Sequence, residues 1–286
     1  MRDDSSGRRE MRDDSATPLL TALRSNATLA DLALLAAVPA VLLAVYALPA
    51  AAKRALVLDY QSPTPAAMYA SHFVHFSLPH LASNLAAYLA AAPLAYAYCA
   101  LAGRRTAFRV TFAVVLAAFP LALSALNAVF VRPSVSYGFS GVAAAFLGFL
   151  PLALAAYVGD RLLPEVTLDH APLLFFLGAG TIAALTAPAT DAGAVVLGIA
   201  GVGAAVYAAS LWRAVGRREF RRAARSGGHA ELAAVGVVVV LGFPFAAFPG
   251  SVAGDVVLNV YTHFLGYALG FVAPYATLRA AALIPN

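Results

Sequence analysis

Ser140 stands between glycines in Gly138-Phe139-Ser140-Gly141, where an apolar segment begins, and His263 lies in another apolar segment at a matching depth. A serine hydroxyl is a weak nucleophile until a base takes its proton, and an imidazole does this well near neutral pH. A serine and a histidine at one depth inside a membrane therefore suggest a buried nucleophile with its general base. A third stretch, His75-Phe76-Ser77-Leu78-Pro79-His80-Leu81-Ala82-Ser83-Asn84, adds polar groups near the same boundary. Ser77 can cap a helix whose first turn holds Pro79, and in that helix His80 and Asn84, four apart, share one face.

The glycines around these residues bear on the chemistry as well. Gly138 and Gly141 permit sharp backbone geometry, so Ser140 can open a helix whose free N–H groups and positive end stabilise a developing oxyanion. In the last apolar segment Gly266 and Gly270 are four apart, a close-packing face of the G-x-x-x-G kind. His263 is one turn back from Gly266 and points to the same side, and Ser140, Gly141 and Gly148 supply a small-residue partner for that seam. Read singly, each stretch also has a packing explanation: small residues recur wherever membrane helices touch, and His80 or Asn84 could tie neighbouring helices together.

The elements that must position these residues are membrane helices. The chain has 286 residues, is 62% hydrophobic and only 12% charged, and its mean hydropathy of +0.79 lies far outside the soluble range. Eight candidate spans occupy about 29–50, 79–101, 110–131, 139–158, 172–188, 194–212, 230–248 and 257–278, each near the length needed for a hydrocarbon core of about 30 Å. Between the fifth and sixth spans only Pro188, Asp191 and Gly193 punctuate the run; a single helix of about 40 residues would be too long to cross once. The expected fold is all-α, with residues 29–278 forming the membrane domain.

Charge gives the orientation. With the N-terminus in the cytoplasm, sixteen Lys and Arg residues fall on the cytoplasmic side and three, Lys53, Arg54 and Arg132, on the other. Both termini are then cytoplasmic, residues 279–286 included, and His80, Ser140 and His263 reach the same outer leaflet. The net charge of +5 is explained by these loop arginines and not by nucleic acid. Residues 1–28, with Met1-Arg-Asp-Asp-Ser5 repeated at Met11, read as a disordered tail that could hold a second translation start, and 51–78 as short helices in the outer interface. The single Cys99 excludes an internal disulfide.

Other chemistries lack their residues. His72, His75 and His80 have no carboxylate or cysteine clustered with them, so no metal or other cofactor is expected. No H-E-x-x-H occurs, and Asp160, Asp191 and Asp255 sit in loops on different sides, which argues against zinc and paired-aspartate proteases.

Taken together, the histidine-asparagine stretch at 75–84, Gly138-Phe-Ser-Gly141 with Gly148, and His263-Phe-Leu-Gly-Tyr-Ala-Leu-Gly270 resemble the rhomboid intramembrane serine proteases. The resemblance covers about 29–158 and 230–278, and it implies a six-helix core with Ser140 as nucleophile, His263 as general base, and His80, Asn84, Gly138 and the Ser140 amide around the oxyanion. It implies substrates that are membrane proteins, single-pass or otherwise, cut near the outer leaflet at small residues beside helix-weakening Gly or Pro. It also implies a lateral gate at 230–248, with Phe243, Pro244, Phe245, Phe248 and Pro249 nearby, capped by 249–256. The chain departs from the family pattern in several places. Ser140 and His263 are 123 residues apart because of an extra pair at 172–212, expected to pack peripherally. Ala144 replaces an aromatic that often braces the histidine, and a Trp-Arg pair in 51–78 and a Glu ending the second span are absent. Two rival readings are a catalytically weak binder of membrane helices on the same fold and a small-solute transporter, although no internal repeat beyond the tail supports the latter.

Overall fold

The structure, a computed structural model, describes residues 18–129, 133–186, 191–247 and 260–283. The described residues are all-α apart from one short two-stranded ladder. Its elements are α1 (Leu19–Asn26), α2 (Leu29–Tyr46), α3 (Ala50–Ala55), β1 (Leu58–Asp59), α4 (Pro65–Ala70), α5 (Leu78–Leu101), α6 (Arg105–Ala117), α7 (Phe119–Ala128), β2 (Val135–Ser136), α8 (Ser140–Arg161), α9 (Pro172–Thr186), α10 (Asp191–Ala214), α11 (Arg217–Ala223), α12 (His229–Ala247) and α13 (Val260–Leu283). Among the described residues five helical stretches are long and apolar enough to cross a membrane: Leu29–Tyr46, Leu78–Leu101, Ser140–Arg161, Leu168–Thr186 and Gly193–Ala214. The bent pair α6–α7 makes a sixth if counted as one span, and α12 has a shorter apolar stretch over His229–Phe245. The protein is thus a multi-pass, all-α membrane protein.

Helix α8 is the axis of the bundle. From Gly141 to Tyr157 every residue is buried, because α5 packs on one side, α13 on another, and α12 and α9 close the remainder. Its run of Ala and Gly makes this possible. A Cβ on Gly148 would run into the Tyr267 carbonyl, one on Gly266 into the Gly141 carbonyl, and one on Gly270 into the Ala145 carbonyl. The glycine seam expected between the two helices therefore exists, with backbone lying against backbone.

The helix ends follow local chemistry. Ser77 caps α5, its side chain accepting from the His80 N–H, as its position before Pro79 predicts. Thr28 and Thr64 cap α2 and α4 in the same way, and Gly103, at φ 67°, follows the end of α5. Residues 51–78 form the short helices expected, with the added surprise that β1 pairs antiparallel with β2, Leu58 opposite Ser136 and Asp59 opposite Val135.

Three expectations need correction. The span 110–131 is not one helix: α6 and α7 meet at a bend of 43°, because Pro120 lacks an N–H and its ring displaces the carbonyl four residues earlier. That carbonyl, Leu116 O, accepts instead from Tyr69 Oη at 3.1 Å. The expected disordered tail 1–28 contains helix α1, whose Ala22 is buried and which packs on α5; residues 1–17 lie outside the described residues. Finally, the extra pair is two helices packed on one another, α9 ending at Thr186 and α10 starting at Asp191. Only α10 is peripheral. Helix α9 packs on the last helix, where Phe175 stacks on Tyr267 and Phe271 at 5.3 and 4.3 Å between centroids, and Tyr267 Oη donates to the Phe175 carbonyl at 3.1 Å.

Candidate active site

At one end of the bundle the starts of α5, α8 and α13 converge. Gly138, at φ 114°, turns the chain into α8, a conformation that a residue with a side chain rarely adopts. The first bond of the helix runs from Ala143 N to Phe139 O at 2.9 Å, so the N–H groups of Ser140, Gly141 and Val142 have no partner within the helix. Across the glycine seam, His263 Nε2 lies 2.5 Å from Ser140 Oγ. His263 is buried and Ser140 half-buried. Ala144 leaves room for the close approach: its Cβ is 3.4 Å from where a Gly266 Cβ would stand. The imidazole is therefore held by helix contact one turn away, on the face where an aromatic brace was missing from the sequence.

His80 and Asn84 share a face of α5, as their spacing predicts, and flank Gly138. A Cβ there would meet His80 Nε2 at 2.8 Å and Asn84 Nδ2 at 3.7 Å. All nine predicted site residues thus fall into this cluster or its seam: Ser140, His263, His80, Asn84 and Gly138 around the hydroxyl, and Gly141, Gly148, Gly266 and Gly270 between the helices. No group of three metal-ligating side chains occurs among the described residues. The segment 249–256, expected as a cap, and Phe248 and Pro249 beside it lie outside the described residues.

His75 also belongs to this cluster, which its place in the sequence does not reveal. It is fully buried, its Nε2 lies 2.8 Å from Asn84 Nδ2 and accepts from the Phe139 N–H at 3.5 Å. Its Nδ1 lies 3.3 Å from the Phe73 carbonyl, so the pattern requires the proton on Nδ1 and an acceptor at Nε2. His75 thereby fixes the Asn84 amide with one N–H engaged and the second left for the space beside Gly138. It also pins the residue before Ser140. Gly138 N donates to Ser71 O at 3.0 Å, and the buried Lys53 Nζ donates to the His75 carbonyl at 3.2 Å and to the Tyr46 carbonyl at 3.1 Å. The segment 51–75 is thus the mould in which the Ser140 turn is set. Close behind it, His72 Nε2 and Ser124 Oγ are hydrogen-bonded at 2.9 Å.

Burial pushes the His75 imidazole down to about 4, helped by the neighbouring His80 and Lys53 and opposed by the Phe73 carbonyl. Burial likewise holds His72 down at about 4. Both pKa values lie below the unfolded value near 6.5, so the unfolded chain binds more protons as pH falls. Stability is fully present above pH 6.5 and is lost progressively as pH falls towards 4, by about 3 kcal/mol per histidine. Thermal unfolding in detergent should show this loss, and His75→Gln should remove about half of it. A melting temperature independent of pH in that window would contradict the assignment.

No protein-family model, curated protein or solved structure matches this chain.

Proposed function

We propose that the protein is an intramembrane serine endopeptidase of the rhomboid kind, working through a Ser140–His263 dyad. The observation that carries this reading is the 2.5 Å contact between Ser140 Oγ and His263 Nε2, made between helices 123 residues apart in sequence beside two side-chain donors. On this reading α6–α7, α12 and α13 also cross the bilayer, giving eight spans in the cell membrane. The arginine distribution supports cytoplasmic termini and a dyad near the outer leaflet.

The chemistry follows from the groups present. His263 Nε2 takes the Ser140 proton as Oγ attacks a peptide carbonyl, and the resulting oxyanion sits beside Gly138. There it receives hydrogen bonds from the free N–H of Asn84, from His80 Nε2–H and from the Ser140 amide at the positive end of α8. Collapse breaks the C–N bond, the departing amine takes the proton from His263, and water then releases the acyl group by the same steps in reverse. Substrates are membrane proteins whose spanning helix unwinds locally to expose a carbonyl. Helix α12 suits a lateral gate. At the end far from the dyad it is tied down, Tyr98 Oη donating to the Leu232 carbonyl at 2.6 Å, whereas near the dyad Pro244 interrupts its bonding and Phe245 is exposed.

The test is purified protein in lipid vesicles with a generic membrane-helix substrate and a fluorophosphonate. Labelling and cleavage should both vanish in Ser140→Ala; persistence of either in that variant removes Ser140 as nucleophile. Asn84→Ala should lower kcat by about 10²–10³ with KM little changed, since the lost donor acts on the transition state. An equal rate in that variant would place the oxyanion elsewhere.

A further inference from the structure

At the end of the bundle away from the dyad lies a cavity of about 1240 Å³. It opens between the second half of α8, the beginnings of α9 and α12, the end of α10, and α11. Val158 of its wall is eighteen residues along α8 from Ser140, or roughly 27 Å, so the cavity belongs to the opposite leaflet. Its walls are apolar, with Leu154, Ala155, Val158, Leu211, Ala233 and Val237 among them. Its rim is cationic, made by Arg213, Arg217 and Arg221, and no acidic side chain lines it. Glu219, between Arg217 and Arg221 in sequence, folds back over Gly216. None of the three arginines has an ion-pair partner among the described residues. Trp212 and Phe220, 73% and 62% exposed, stand at the same rim, the position that aromatic side chains favour at a membrane surface.

A greasy hollow with a positively charged mouth at headgroup depth has the chemistry of one kind of occupant. We propose that the cavity is a binding site for an anionic phospholipid of that leaflet, its acyl chains lying against α8 and α12 and its phosphate held by Arg213, Arg217 and Arg221. A soluble anion would use the rim and leave the apolar hollow empty. A zwitterionic lipid would fill the hollow but carry its own cation to the arginines, which an anionic headgroup does not. The inference is independent of the proteolytic reading, since none of its residues touches the dyad cluster.

Trp212 is the only tryptophan in the chain, so its fluorescence reports occupancy directly. The full-length protein is reconstituted in vesicles that mix phosphatidylglycerol and phosphatidylcholine of matched chains, with bromine on the chains of one lipid at a time. Brominated phosphatidylglycerol should quench Trp212 half-maximally at a mole fraction at least about 10-fold lower than brominated phosphatidylcholine. The triple variant R213Q/R217Q/R221Q, altered only at exposed positions, should erase that preference. Ala155→Phe, which fills the hollow from its α8 wall, should weaken quenching by both lipids. Millimolar inorganic phosphate should displace neither. Quenching indifferent to headgroup would overturn the proposal, as would a preference that survives the triple variant or displacement by phosphate alone. Shielding of Trp212 from both lipids, as by a second copy of the chain or another protein, would overturn it equally.

Discussion

On the proteolytic reading, His263→Ala should lower kcat/KM for a membrane-helix substrate by about 10⁴-fold or more while leaving the melting temperature nearly unchanged. The rate term follows from removal of the base in contact with Ser140 Oγ. General base catalysis is worth about 10²–10⁴ in rate, and a nucleophile and base that act as one unit lose more together than the base alone would suggest. The stability term follows from the seam: most of what holds α13 to α8 is close backbone contact at Gly148, Gly266 and Gly270, to which the imidazole adds one hydrogen bond. Cleavage assays in vesicles with thermal unfolding of the same preparation check both halves. Activity within tenfold of the parent would mean that another group deprotonates the serine.

Gly266→Ala inverts that pattern, losing stability and activity together. Its single added methyl is directed at the Gly141 carbonyl, a backbone atom that no side-chain rotation can move aside. The helices must separate, at a cost of about 1–3 kcal/mol, and a displacement of about 1 Å between Ser140 and His263 lowers the rate by roughly 10²-fold. Gly266→Leu should be worse on both counts. The diagnostic comparison is Gly242→Ala, where a Cβ meets nothing within 4 Å and neither quantity should move. If Gly266→Ala melts and cleaves like the parent, the close seam is not what aligns the dyad.

Much of this site is legible in the residues, for reasons that are local. Ser77 before Pro79 marks a helix start, the spacing of His80 and Asn84 puts them on one face, and two small-residue stripes can meet only by close approach. Where the reading fell short, the cause is a contact between segments distant in sequence. His75 looks like a third histidine in a row until Asn84 and Phe139 are brought to its ring. Lys53 counts as an orienting charge until it is found buried under two carbonyls. Pro120 stood in plain view, but a continuous apolar run hid the bend, and the acceptor it frees is taken by Tyr69 from the segment before α5. Leu19, Leu20 and Leu23 gave α1 an apolar side that the charges around it outweighed in composition.

The placement of α8 has a bearing on biosynthesis. A chain still emerging from the ribosome has Ser140 in place long before α13 is made, and through that interval the hydroxyl has no imidazole beside it and behaves as any alcohol. On the proteolytic reading, competence arrives only when the last helix slides its glycines along the enclosed one. Nascent neighbours in the same insertion machinery are thereby spared, as they are from any fragment that ends before Val260.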